Sequence, residues 1–178
     1  MKPVLKISQR PDNSVYVLRY DHTSIMGFSA HKCSIMIHSL KIKNDHDKPL
    51  SIEKMDFIYK ANGEEIQRNS FSPKQLNELF TWGKNIISLP PMLSVTKIDS
   101  FYDEVFCPSS ELAEKTCGFI PKIYLECNHN LRVDELEISI KTSKSKECFN
   151  QRIVLKDYVQ KNKFYLPMKG PLAILGNG

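Results

Sequence analysis

The residues best suited to chemistry in this sequence are five histidines and five cysteines, spread along the chain at irregular intervals. One group, His31, Cys33 and His38, lies within a single short stretch, as the ligands of a metal site would. If that stretch is an extended strand, residues 31 and 33 point to one side and residue 38 to the other. The three donors then cannot converge on one ion, and we expect His38 to be an imidazole of the protein core.

Two further groups have the residue types of a site without its supporting features. Cys127 and His129 match a thiol nucleophile and its base, but no third residue that would orient the base can be named. The run Asp45-His46-Asp47 could bind a cation, yet its Asn, Asp and Pro neighbours are typical of a hairpin tip. Adjacent acids such as Asp103 and Glu104 point to opposite faces of an extended chain and make a poor acid–base pair.

The signatures of common enzymes are missing from the sequence, which contains no GxGxxG, GxxxxGK[ST], GxSxG or HExxH motif. We therefore predict no catalytic, cofactor-binding or metal-binding residue, no cofactor, and no enzymatic activity for this chain. An enzyme of unknown type that uses a cysteine or a metal is the alternative.

The cysteines form no Cys-x-x-Cys motif, so a zinc ribbon or a thioredoxin-like site is not predicted. The first ten residues lack the apolar run of a secretory signal, and we expect that this chain has no signal peptide. We accordingly predict five reduced cysteines and favour an intracellular location. A bridge between Cys107 and Cys117 is the alternative for an oxidising compartment.

Lysine and arginine number 25 against 20 acidic residues, a net charge of +5 that is spread along the chain. The densest basic group suits a solvated edge, with a polyanion contact as the alternative; it contains Lys141, Lys144, Lys146, Arg152 and Lys156. Aromatic and basic residues do not interleave as in an RNA-recognition sheet. We therefore predict no nucleic-acid partner, and the apolar runs are too short for a membrane span.

Alternating apolar residues predict eight to ten strands, which must position any functional side chain. The strongest strand is Cys33–Lys43, with apolar residues on both faces, and Asp134–Thr142 and Phe149–Leu155 follow later. Asn62-Gly63 predicts a hairpin turn, and Pro and Asp after residue 10 predict another between Val4–Ser8 and Val15–Tyr20. The predicted core consists of Ile35, Ile37, Leu40, Ile42, Phe57, Leu136, Ile138 and Ile140.

One helix is predicted, because Ser72 can cap it and Pro73 suits its first turn. Apolar residues at positions 76, 79 and 80 give it one buried face. Gly83 stands where a helix end is expected, and strands are predicted to resume at Asn85. We expect Trp82, at the end of the helix, to cover the core, with ligand contact as the alternative.

These elements predict a mostly β fold, specifically an immunoglobulin-like antiparallel β-sandwich with one short helical insertion. Residues 1–160 would form the sandwich. Residues 161–178 would form a tail or linker, because Pro167 and Pro171 cannot donate hydrogen bonds in a central ladder. One more edge strand of the sandwich is the alternative for the apolar residues of this segment.

The C-terminal segment Phe164–Gly178 contains Leu166-Pro167-Met168-Lys169-Gly170 and then an apolar run. It resembles the segment that leads into lysostaphin-type zinc metallopeptidase domains, and the preceding Leu155–Tyr158 resembles the end of the β-domain found before some of these peptidases. The resemblance implies that the chain is the region before such a domain, and that a longer parent protein would be a zinc metallopeptidase. The family's His-x-x-x-Asp and His-x-His motifs do not occur here, so no zinc ligand is carried over.

We therefore expect a non-catalytic accessory domain that positions, regulates or targets an adjoining hydrolase, specifically a metallopeptidase. A stand-alone β-sandwich that binds a protein or a carbohydrate is the first alternative. The expected partner is an adjoining domain or another protein, and the oligomeric state stays open. The predicted contact residues are Trp82, Phe164, Tyr165, Leu172 and Ile174.

Overall fold

The computed structural model describes residues 5–10, 15–23, 27, 29–88, 104–127, 132–143, 145 and 148–158. Within them the chain is mostly β with one helix, which confirms the coarse fold prediction. The elements are β1 (Leu5–Arg10), β2 (Val15–Thr23), β3 (Ser29–Ile37), β4 (Ser39–Asn44), β5 (Leu50–Ala61), β6 (Glu64–Phe71), α1 (Pro73–Ile87), β7 (Glu111–Leu112), β8 (Cys117–Ile120), β9 (Ile123–Cys127), β10 (Glu135–Thr142) and β11 (Phe149–Asp157). The predicted tail, 161–178, lies outside the described residues.

The larger sheet has the strand order β6-β5-β10-β11-β2-β3-β9, with the short β7 beside β5. Its neighbouring strands are antiparallel except β11 and β2, which are parallel. The sheet curves until its two edges meet, since the Gln67 side-chain amide on β6 donates a 2.9 Å hydrogen bond to the Glu126 carbonyl on β9. The result is close to a closed barrel, a shape that is not specific to an immunoglobulin-like sandwich.

A second sheet, β1-β4-β8, arises because three long stretches of chain each contribute to both sheets. β3 passes into β4 at His38, and β8 passes into β9 at Pro121 and Lys122. β1 pairs with β4, and β2 pairs with β3, so β1 and β2 do not pair with each other. The predicted hairpin between residues 4–8 and 15–20 is therefore wrong, because its two strands belong to different sheets.

The bend at His38 also corrects the prediction of one strand over Cys33–Lys43. The buried positions are 33, 35 and 37 before the bend and 39, 40, 42 and 44 after it, so from residue 40 onward the alternation is shifted by one residue. His38 itself is exposed, and its backbone amide donates to the Arg10 carbonyl at 3.1 Å. The prediction that His38 is a core imidazole is wrong, because His38 follows Ser34 and Met36 on the outward side of β3.

The predicted core residues are all buried, with exposed fractions of 0% for each. They come from β3, β4, β5 and β10, whose inward faces surround one apolar interior. The predicted hairpin at Asn62-Gly63 is confirmed: it joins β5 to β6, and both residues have positive φ, 53° and 83°. Positive φ at both central positions is the geometry that favours Asn-Gly in a two-residue hairpin.

Helix α1 begins as predicted but does not end at Gly83. Ser72 and Gln75 form a capping box: the Gln75 amide donates to the Ser72 hydroxyl, and the Ser72 amide donates to the Gln75 side chain. The helix continues to Ile87, so the predicted strand start at Asn85 is wrong. Gly83 is buried against β8, where it serves close packing and not helix termination.

Candidate binding face

Trp82 is the one predicted contact residue that falls within the described residues. It lies on α1 with 42% of its surface exposed, so it is a surface residue and not a cover for the core. The neighbouring Thr81 hydroxyl donates to the Pro108 carbonyl at 3.2 Å, which ties the helix to the segment before β7. The other predicted contact residues lie outside the described residues; they are Phe164, Tyr165, Leu172 and Ile174.

A larger group of exposed aromatic side chains lies on the outer side of β11, β2, β3 and β9. Val17, Ile35 and Leu125 are register partners on β2, β3 and β9, and all are buried on the inner side. Because side chains alternate along a strand, the residues between them point outward. These outward residues, with the flanking Lys122 and Tyr158, are named here the tyrosine face: Tyr16, Leu18, Tyr20, Lys32, Ser34, Met36, Lys122, Tyr124, Glu126, Lys156 and Tyr158.

The register places these side chains in rows across the strands. Lys156 on β11 is the partner of Tyr16 on β2. Met36 on β3 is the partner of Tyr124 on β9. The register of β2 and β3 pairs Val17 with Ile35, so one residue further along Tyr16 lies opposite Met36. These residues come from three distant segments of the sequence. They form one surface only because of the order of the strands in the sheet.

Four tyrosines dominate the face, each about half exposed: 49% for Tyr16, 46% for Tyr20, 59% for Tyr124 and 47% for Tyr158. The rings of Tyr16 and Tyr158 meet edge to face, with centroids 5.9 Å apart. Such a contact stabilises a pair of aromatic rings and fixes their orientation. Partly apolar rings held together at the surface are a feature of binding surfaces.

The charge of the face is mainly positive, with three lysines against one glutamate. The Lys122 ammonium lies 4.5 Å from the centre of the Tyr124 ring, within the range of a cation–π interaction. Lys32 and Lys156 are exposed and form no ion pair within the described part of the chain. The acidic member is Glu126, whose carbonyl accepts the bond from β6. The face therefore attracts negative charge while offering aromatic surface.

Beneath the tyrosine face, Cys33 and Cys127 form a disulfide between β3 and β9, across 94 positions of sequence. The two residues are register partners, so the bridge ties the edge strand β9 to its neighbour. The prediction that all five cysteines are reduced is wrong for these two, because sheet pairing brings them together. Cys107, Cys117 and Cys148 are free, so the alternative bridge between the first two does not form.

The same bridge removes two candidate sites of the sequence analysis. Cys127 has no free thiol, so it cannot be the nucleophile of a pair with His129, a residue outside the described part of the chain. Cys33 is also unavailable to a metal ion, and His38 points to solvent. Within the described residues, no cluster of three or more His, Cys, Asp or Glu side chains has the arrangement of a metal site.

The Asp45-His46-Asp47 run forms the predicted polar tip between β4 and β5. Asp45 is paired with Lys6, and the Asp47 carboxylate lies 3.0 Å from the Lys115 ammonium. The hydrogen bonds from these lysines lower the pKa of both carboxylates. Both acids therefore have a lysine counter-ion already in place.

A second polar cluster lies beside the small sheet and contains Glu104, Cys117 and two lysines of β4. The Glu104 carboxylate accepts hydrogen bonds from Lys41 at 3.0 Å, from Lys43 at 3.4 Å and from the Cys117 thiol at 3.1 Å. Burial would raise the pKa of Glu104, but the bonds from Cys117, Lys41 and Lys43 lower it to about 2. Glu104 is thus a permanent anion that neutralises two partly buried lysines.

The thiol in this cluster is not activated. Burial and the hydrogen bond to the Glu104 carboxylate raise the pKa of Cys117 to about 12. A nucleophilic cysteine needs a lowered pKa and a share of thiolate at neutral pH. Cys117 is therefore a neutral donor that helps to hold Glu104, and its chemistry is structural.

Sequence reasoning missed the tyrosine face, although part of its signal was present. Tyr16 and Tyr20 lie four positions apart on one strand and so share a side. Their association with Tyr124 and Tyr158 depends on the pairing of β2 with β3 and β11, which sequence alternation does not specify.

Comparison with known proteins adds no relatives: no family model, no curated protein and no solved structure matches this chain. Among the described residues, no helix is long and apolar enough to cross a membrane.

Proposed function

We propose that this chain is a non-catalytic accessory domain that binds a partner through the tyrosine face. The observation that carries the proposal is the clustering of four half-exposed tyrosines on one side of a sheet. Tyrosine is enriched at binding surfaces, because its ring supplies apolar contact while its hydroxyl stays hydrogen-bonded.

Cys117 and Cys127 are not available as nucleophiles, whereas Cys107 and Cys148 are free thiols. Cys127 is consumed in a disulfide, and the raised pKa of Cys117 keeps its thiol neutral. Glu104 is held by two lysines, so its carboxylate is committed to ion pairs. The disulfide and the ion pairs of Glu104 stabilise the domain.

The accessory role is further supported by the resemblance of Phe164–Gly178 to the segment before lysostaphin-type peptidase domains. On this proposal the domain would position or regulate an adjoining metallopeptidase. The finer assignment to an immunoglobulin-like sandwich also stays a prediction. The test of the accessory role is the reading frame after codon 178: a His-x-x-x-Asp motif followed by His-x-His supports it, and a frame without them overturns it.

The expected intracellular location stays a prediction, and the disulfide favours the opposite choice. Disulfides persist mainly in oxidising compartments, whereas the cytosol keeps thiols reduced. We therefore propose that the domain is located in an oxidising compartment.

The binding role is tested by retention on immobilised ligands of three classes: acidic polysaccharide, acidic polypeptide and single-stranded oligonucleotide. The wild-type chain should be retained by at least one of these classes of ligand. A Tyr16→Ala/Tyr124→Ala double variant should not be retained by the same ligand. Val105→Ala is the matched control, because Val105 is an exposed apolar residue outside the face. Retention by none of the classes, or equal retention of both variants, would overturn the proposed binding face.

A further inference from the structure

We infer that the ligand of the tyrosine face is an extended acidic polysaccharide chain. This inference rests on the proposed binding function and names its ligand. The size of the face, the chemistry of its side chains and its charge each support this ligand class.

The first argument is size. Four strands at about 4.8 Å spacing give a width of about 14 Å, and the four-residue step from Tyr16 to Tyr20 gives a length of about 13 Å. These lengths join backbone positions and describe the path across the strands from Lys156 to Tyr124. A narrow, extended chain could follow this path across the face.

The second argument is side-chain chemistry. A pyranose ring has an apolar C–H surface that can lie against an aromatic ring, and hydroxyls around its rim. On this face the rings of Tyr16 and Tyr124 stand two strands apart, with Met36 between them. Tyrosine hydroxyls and Ser34 supply hydrogen-bonding groups beside these apolar surfaces. Ring-stacking sites alternating with polar groups match the alternating surfaces of a sugar chain.

The third argument is the distribution of charge. Lys156 lies on one side of the face, Lys122 beside Tyr124 on the other, and Lys32 next to Tyr20 at a third position. Lysines that are spread in this way do not converge on a single anionic group. They suit carboxylates repeated along a polymer, as in a chain of uronic acids.

A single-stranded nucleic acid also combines negative charge with stacking surfaces. One observation favours the polysaccharide. The Cys33–Cys127 disulfide directly beneath the face points to an oxidising compartment, where extracellular polysaccharides occur.

The test is a calorimetric titration of the full chain with a galacturonic acid oligosaccharide. Controls are a neutral glucose oligosaccharide, an oligoglutamate and an oligothymidylate. We expect binding of the uronic acid oligosaccharide, and weaker binding at high salt because the lysine contacts are screened. Tyr16→Ala and Tyr124→Ala should each weaken it roughly tenfold, the factor that corresponds to about 1.4 kcal/mol. Lys32→Gln should reduce the salt dependence.

Two matched variants, Val105→Ala and Lys74→Gln, change exposed residues outside the face and should bind as the wild type does. Each variant is first checked for an unchanged thermal unfolding midpoint. If the oligothymidylate or the oligoglutamate binds through Tyr16 and the uronic acid chain does not, the polysaccharide inference is overturned while the binding function stands. If no probe binds, or if the tyrosine variants bind the uronic acid chain as the wild type does, the inference is also overturned.

Discussion

Replacing Gly83 with alanine should destabilise the protein, although alanine is the better helix former. Gly83 lies on the buried side of α1, directly over the backbone of β8. A Cβ at this position would lie 1.9 Å from the Phe119 carbonyl oxygen and 2.8 Å from its carbonyl carbon. Because both atoms are backbone, no change of rotamer can relieve the clash.

The magnitude follows from two opposing effects. The helix would have to move by about 1 Å to bring the new Cβ to 3.0 Å from the oxygen, the lower limit for such contacts. Overpacking costs about 1–3 kcal/mol and occasionally more, whereas glycine to alanine in a helix gains about 1 kcal/mol. We expect the free energy of unfolding to fall by about 2 kcal/mol, because a backbone clash lies at the upper end of the overpacking range.

The assay is urea denaturation followed by circular dichroism and by the fluorescence of Trp82, the only tryptophan and the neighbour of Gly83. Asn85→Ala is the matched control, since Asn85 is exposed on the same helix; it should be neutral or stabilising by up to about 0.6 kcal/mol. An unfolding free energy for Gly83→Ala at or above the wild-type value would refute the packing of α1 on Phe119.

The facing strand gives an independent check. A Cβ at Gly118 would lie 2.5 Å from the nearest ring carbon of Phe80, a fully buried side chain. Gly118→Ala should therefore be destabilising, and Phe80→Leu should relieve part of that cost. A double-mutant cycle with purely additive effects would contradict the contact between these two residues.

Three other predictions concern thiols, charge and the core. Thiol titration under denaturing conditions without reductant should find three thiols, and five would disprove the Cys33–Cys127 bridge. Since the pKa of Glu104 is lowered from 4.5 to about 2 on folding, its stabilising effect is complete above pH 4.5 and is lost as the pH falls towards 2. Between about pH 5 and pH 2 the free energy of unfolding should therefore fall less in Glu104→Gln than in the wild type, with a difference of about 1–3 kcal/mol in urea titrations. Parallel pH curves for the two proteins would contradict this. Leu40→Ala should cost about 2–5 kcal/mol, because Leu40 is fully buried; a loss well under 1 kcal/mol would place β4 at the periphery.

Local features of this protein could be predicted from sequence because their causes are local. The hairpin at Asn62-Gly63 depends on two residues that tolerate positive φ. The start of α1 depends on the Ser72 cap and its reciprocal bond with Gln75. The apolar residues of β10 alternate along the strand, so Leu136, Ile138 and Ile140 were correctly identified as core, although Glu137 and Ser139 between them are buried as well.

Features that depend on sheet pairing could not be predicted in this way. The alternation of apolar residues predicts which side of a strand is buried, but it does not predict which strand lies next to it. The Cys33–Cys127 bridge, the bend at His38 and the separation of β1 from β2 all follow from which strands pair. Gly83 was misread for the same reason: a glycine near a helix end indicates termination, unless another element packs against it.

The sequence by itself determined that this chain is mostly β, which residues form its core and where its one helix begins, because each of these follows from neighbouring residues. The tertiary structure decided which surface is available for binding. Tyr16, Tyr124 and Tyr158 come from separate parts of the chain and become neighbours through the order β11-β2-β3-β9. The physical reason is that hydrogen bonding between strands joins residues by their place in the sheet and not by their distance in sequence.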